Sequence, residues 1–139
     1  MKVYKYLLTA LMLLLASQSY AQVAVIANKS VPDNAIKINK VDDIYSLRTK
    51  AWDDGKAVVP VTIKADNAET QKFFGAFGKS FLEIKKLWMR AQLTGEGQPP
   101  VSVDSDDEVI AKVESTPGAI GFISSDKVNK KVKVLLTIN

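Results

Sequence analysis

Short apolar, β-branched runs at residues 23–27, 58–63 and 119–123 alternate with segments that open on a helix-start signal, and this alternation narrows the folds open to the chain more than any other feature. Three such signals occur: Asp66 with Glu69, Ser80 with Glu83 and Ser105 with Glu108. Each places a side-chain acceptor three residues before an acid, the spacing that satisfies N–H groups left unpaired in a first helical turn. Val23, Ala24, Val25, Ile26 and Ala27, stopping at Asn28, predict a strand buried on both faces. Residues 58–63 carry Pro60, which cannot donate to a ladder, so an edge strand or an irregular strand start is expected there. Residues 131–138 set Val132, Val134 and Leu136 against Lys131, Lys133 and Leu135, the period of a partly exposed strand. Strands alternating with helices imply an α/β architecture: a mixed, mainly parallel sheet covered by helices on both faces, in one compact three-layer domain.

The strongest helix follows Ser80. Phe81, Ile84, Leu87, Trp88 and Ala91 share one stripe at the helical period, while Glu83, Lys85, Lys86, Arg90 and Gln92 lie off it. Phe81 and Trp88 therefore read as packing anchors rather than ligand-stacking residues. Residues 42–48 predict a short helix whose buried face is Ile44, Tyr45 and Leu47 with the preceding Val41. Trp52-Asp53-Asp54-Gly55 reads as a turn, since glycine accepts a positive φ that other residues resist. Residues 94–100 predict a loop leading to the helix after Ser105, which runs to about Ser115 and is ended by Pro117.

Ahead of this domain, Met1, Lys2 and Lys5 precede an apolar run at residues 6–16, and Ser17, Gln18, Ser19, Tyr20 and Ala21 follow it with small residues three before and at a break. These are the parts of a secretory leader, with cleavage expected after Ala21. The apolar run is shorter than the roughly 20 residues that span a bilayer, so a membrane anchor is not expected. Residues 1–21 thus read as leader and 22–139 as one domain, placed in the periplasm or secreted. The leader holds two lysines and no acid of a chain with formal charge +4, which leaves +2 on the remaining 118 residues. That sum offers no polybasic face for nucleic acid or anionic lipid.

The chain has neither cysteine nor histidine, which excludes disulfides, thiolate metal sites, cysteine nucleophiles and the commonest general base. No cofactor or metal is expected and no catalytic residue stands out. Asp104, Asp106, Asp107 and Glu108 form the densest acidic cluster, but the alternating ligands and central glycine of a calcium loop are missing, so helix capping explains them. Gly95 and Gly97 follow a helix and lack the Gly-Lys-Ser/Thr ending of a phosphate loop. The helix start after residues 58–63 is the better anion site, because N–H groups there point outward at the carboxyl end of a strand. Lys64, Asn67, Ala68 and Thr70 are the candidate ligand-binding residues, with Lys64 supplying charge and Thr70 a hydroxyl.

The order of Val23 to Asn28, Ala51-Trp52-Asp53-Asp54-Gly55, Phe73, Trp88, Leu93-Thr94-Gly95-Glu96-Gly97-Gln98-Pro99-Pro100 and Thr116-Pro117-Gly118-Ala119-Ile120-Gly121-Phe122 resembles the phosphate-type periplasmic substrate-binding proteins of ABC importers, and more narrowly their small single-lobe relatives. The resemblance implies one lobe of a type II periplasmic-binding-protein fold and solute binding rather than catalysis. It further implies that the family's arginine, four residues before a Ser-Gly-Thr, is matched here by Lys64, with Ala68, Glu69 and Thr70 at the triplet. Only the threonine is retained, and an ammonium lacks the bidentate fork of a guanidinium. A charged Glu69 about 4 Å from an anion would repel it by roughly 4 kcal/mol at an effective dielectric near 20. The expected partner is accordingly a small oxyanion such as phosphate, held weakly at a degenerate site. The rival expectation is an envelope interaction or scaffold protein that reuses the lobe to bind a protein partner or a second copy. Nucleic acid and membrane insertion after leader cleavage are not expected. Intact-mass measurement of protein from the cell envelope should give the mass of residues 22–139; the full-length mass with membrane retention would show an anchor instead.

Overall fold

The computed structural model describes Val3 and residues 21–139 of the chain. Apart from Val3 and Ala21, the expected leader lies outside the described residues. In chain order the elements are β1 (Val23–Ala27), α1 (Ile38–Tyr45), β2 (Val59–Ile63), α2 (Ala68–Gly75), α3 (Phe81–Thr94), β3 (Val101–Val103), α4 (Asp106–Ser115), β4 (Ala119–Ser124), a 3-10 turn at Ser125–Lys127, and β5 (Lys133–Ile138). They form a five-stranded sheet in the order β3-β2-β4-β1-β5. β2 runs parallel to β3 and β4, whereas β1 is antiparallel to β4 and β5, so β1 alone opposes the other four strands.

Two neighbouring residues of β4 show how the layers arise. Successive strand residues face opposite sides of a sheet. Phe122 stacks on Phe73 of α2 with centroids 3.9 Å apart, on the side that also carries Tyr45, Phe74 and Trp88. Gly121 faces the other way, onto α4, where a Cβ would come within 2.7 Å of Val109 Cγ1 and 3.2 Å of Val113 Cγ2. The glycine lets helix and strand pack closely. Helices α1, α2 and α3 thus cover one face and α4 the other, the three-layer α/β arrangement expected from the sequence. β1, buried at all five positions, lies between β4 and β5 as the doubly covered strand its composition predicts.

Four local readings change. α1 starts at Ile38 and ends at Tyr45, rather than spanning 42–48, and Leu47 lies beyond it at φ 62°. The stop is a left-handed cap at Leu47: Leu47 N donates to Ile44 O at 3.1 Å and Arg48 N to Asp43 O at 2.8 Å, while the Asp42 carboxylate gathers Ser46 Oγ, Lys79 and Arg48 around the end. β2 is not an edge strand, because β3 flanks it, and of the two expectations for Pro60 the irregular strand start is the one that fits. Val59 N bonds toward β4 and Lys64 N toward β3, so the donor that Pro60 lacks would face β3, whose pairing with β2 starts only at Val61. β3 is an addition to the expected elements, since Val101-Ser102-Val103 is too short to show a period. In β5 a register shift opposite Val25 and Ile26 leaves Leu135 unpaired and turned inward, while Val134 faces solvent.

Trp88 is an anchor of the helical face, as expected. It is 5% exposed, meets Phe74 and Phe81 edge-on, and donates Nε1–H to the Tyr45 carbonyl at 2.7 Å. Trp88→Ala should destabilise the domain by about 3 to 5 kcal/mol in urea unfolding, through lost burial and a residual cavity. An unchanged unfolding midpoint would contradict that role.

Candidate functional site

β2 ends at Ile63, paired with Val103, and Lys64 N donates to Val103 O at 2.9 Å before the chain turns into α2. The turn is held from within. Thr70 is fully buried, its hydroxyl donates to Ala65 O at 2.7 Å, and Asn67 Oδ1 accepts from Thr70 N at 2.9 Å. Asn67 is therefore the cap of α2, one residue later than the Asp66 expected from the sequence, and the Asp66 carboxylate accepts from Gln71 Nε2 instead. With Thr70 anchored on Ala65, the acceptor three residues before it is Asn67, whose amide oxygen caps as well as a carboxylate does. The other two signals hold: Ser80 Oγ accepts from Glu83 N and Ser105 Oγ from Glu108 N.

Glu69 does not close a capping box. Its carboxyl turns toward the start of α4, beside Asp106, whose own Oδ2 accepts from Ser124 N at 3.1 Å. Burial pushes the Glu69 carboxyl up to about 8, helped by a hydrogen bond and charge from Asp106 and opposed by Lys127 and the Ser124 N–H. One of its oxygens is buried with no hydrogen-bond partner. Burial thus disfavours the charged form of Glu69 and weakens the negative charge expected at this helix start. The bulk of the side chain remains where a glycine would leave room.

Asn67, Ala68, Glu69, Lys72, Ser124 and Val23 line a cleft of about 460 Å³ at this end of the sheet. Of the candidate residues, Asn67 and Ala68 open onto it and Thr70 lies buried beneath it. Lys64 is turned away, with its Nζ 3.3 Å from Asp104 Oδ1. Lys72 joins the cleft instead, bonded to the Ala21 carbonyl. Its position was readable in principle, since it lies four residues after Ala68 and so on the same helical face. The acidic run caps α4: Glu108 Oε2 accepts from Asp104 N at 2.7 Å, and Asp106 is tied to β4 as above. Among the described residues no group of three or more acids, histidines or cysteines could hold a metal ion. The N–H groups of Ala68 and Glu69, the positive end of α2 and Lys72 could together accept a small anion, while Thr70 has already committed both its donors.

No protein-family model and no curated protein matches the sequence. Solved structures do. A protein described as a phosphate ABC transporter substrate-binding protein from Clostridium perfringens, solved with phosphate bound, superposes with a TM-score of 0.68 at 19% identity over 83% of this chain and 45% of its own. An ABC-type phosphate transport receptor from Vibrio cholerae gives 0.64 at 19% identity over 83% and 47%. PstS from Borrelia burgdorferi gives 0.59 at 17% identity over the same shares. Over the matched residues the chain shares the fold of these structures, and it spans less than half the length of each.

The Glu69 carboxyl makes a testable contribution to stability. Its value in the folded protein, about 8, is raised from 4.5. The folded state thus keeps a proton that the unfolded chain has released, so this contribution is complete below 4.5 and is lost as pH rises through 8. Thermal melts at pH 5 and 8.5 should show wild type losing more stability over that interval than Glu69→Gln, which cannot titrate; equal losses would place Glu69 in an ordinary solvated setting.

Proposed function

We propose that this chain is an exported, non-enzymatic solute-binding-protein-like domain, residues 22–139 in the periplasm or secreted, that retains a weak oxyanion site at the start of α2. The observation that carries the reading is positional: α2 begins at the carboxyl end of β2 in a fold shared with phosphate transport receptors, one of them solved with phosphate bound. Backbone donors and the helix dipole come with that fold, whatever the side chains are. Ala68, Asn67 and the Thr70 turn supply the frame and Lys72 lines the cleft, while Lys64, the weaker counterpart of an arginine, is paired with Asp104 away from it. Weakness has three local sources. Glu69 fills space at the helix start, Asn67 and Ala65 occupy the Thr70 donors, and Asp104 engages Lys64.

The same self-satisfied turn is what favours the rival reading, an envelope interaction or scaffold protein that keeps the lobe and binds a protein partner. Titration calorimetry with phosphate at low ionic strength separates the two. Wild type should bind far above the micromolar range. Lys64→Arg, Ala68→Ser and Glu69→Gly combined should bind about tenfold more tightly, the equivalent of one charge-assisted hydrogen bond. Micromolar binding by wild type would show that the site is not degenerate, and no gain in the triple variant would put the site elsewhere.

A further inference from the structure

Helix α3 buries Phe81, Ile84, Trp88 and Ala91, yet its opposite face is also apolar. Leu82, Met89 and Leu93 are 60%, 62% and 82% exposed. At seven and four residues apart they fall within about 40° of one another and extend over about 16 Å of helix. Lys85 lies about 60° to one side of this ridge, and Lys86 and Arg90 about 40° and 80° to the other, whereas Glu83, the acid of the helix, is about 100° away. Among the described residues no carboxylate pairs with Lys85, Lys86 or Arg90. Lys85 Nζ rests 4.4 Å over the Phe81 ring. Three large apolar side chains on one ridge expose on the order of 300 Å², the scale at which a surface patch has a use.

We propose that the outer face of α3 docks on an anionic lipid surface, with Leu82, Met89 and Leu93 entering the headgroup boundary and Lys85, Lys86 and Arg90 meeting the lipid charges. Charge complementarity selects this occupant. A second copy packed ridge to ridge would bring these cations against their equivalents with no acid among them. A helical protein partner would need apolar residues between Leu82 and Met89 to complete a seam, and those positions are Lys85 and Lys86. An apolar line bordered by cations on both sides is the pattern of a helix lying in a lipid interface. Docking here is peripheral, since no helix of the described residues is long and apolar enough to cross a membrane. Summing charge over residues 22–139 hides the face, because the acids that balance it sit on other elements, notably at Asp104, Asp106 and Asp107 by the start of α4.

The test is vesicle flotation of protein recovered from expressing cells, with wild type and variants prepared alike so that any contribution of residues 1–21 is common to all. Wild type should float with phosphatidylcholine vesicles containing phosphatidylglycerol, and not with phosphatidylcholine alone. Lys86→Glu and Arg90→Glu should each reduce partitioning by about fivefold or more. Leu82→Ser combined with Met89→Ser and Leu93→Ser should abolish it while keeping the wild-type circular dichroism spectrum. Equal binding to both vesicle types, or binding unaffected by these variants, would overturn the proposal. So would a dimer in light scattering that the serine variant dissociates, or retention of an acidic protein partner that depends on the same face without any lipid binding.

Discussion

The structure depends above all on Tyr45. Its hydroxyl donates to the Val61 carbonyl of β2 at 2.8 Å, its ring meets Phe73, Phe74 and Phe122 edge-on, and its carbonyl accepts from Trp88. One residue at the end of α1 is thereby tied to α2, α3, β2 and β4. It is fully buried, and burial holds its hydroxyl above the ordinary tyrosine range, so it stays a neutral donor. The polar contacts matter as much as the ring. Val61 O and Trp88 Nε1–H lie in an interior where an unpaired polar group costs about 1 to 3 kcal/mol, so each fixes the distance and rotation of an element that apolar packing alone would leave free to slide.

The opposite face is set by closeness rather than by size. Gly121 lets α4 sit directly on β4, and Gly118 takes φ 78° where a Cβ would lie 2.2 Å from Ala57 O. The same turn receives Trp52 Nε1–H on the Gly118 carbonyl at 2.9 Å. The Thr-Pro-Gly-Ala-Ile-Gly-Phe string and the Trp-Asp-Asp-Gly turn are therefore one feature in space, the place where the β1–β4–β2 centre of the sheet is pinned to the segment before β2. At the end of β4 the Ser124 N–H holds the Asp106 carboxylate at 3.1 Å, and Asp106 there approaches Glu69 at the start of α2.

That approach changes the chemistry of the cleft. A helix start at a strand end favours an anion by its dipole, and here the Glu69 carboxyl, a capping amide and a buried threonine take up much of the same space. The site is thus satisfied largely by its own chain, while the exposed ridge of α3, on another side of the domain, has nothing within the described residues to cover it. The two surfaces differ in kind: one is polar, concave and internally bonded, the other apolar, convex and bordered by cations.

Much of this was legible in the sequence because it rests on local periodicity. Residues 23–27 could hardly be anything but a doubly buried strand, the stripe from Phe81 to Ala91 specified which side of α3 faces inward, and Ser80 and Ser105 marked their helix starts by hydrogen bonds spanning three residues. The strand-helix alternation settled the α/β class, and Pro117 and Gly118 settled where α4 ends. Tertiary contacts decided the rest. Whether Pro60 lies in an edge strand depends on β3 arriving from forty residues away, the inward turn of Leu135 depends on a bulge against β1, and Asn67 rather than Asp66 caps α2 because Thr70 is drawn into the interior. Lys64 and Thr70 were identifiable as residue types, but Lys64 pairs with Asp104 on a separate loop, and burial together with Asp106 raises the Glu69 carboxyl. Sequence spacing encodes bonds made within a turn of helix or along a strand; the charge a side chain carries and the direction it takes follow from neighbours that only folding brings within reach.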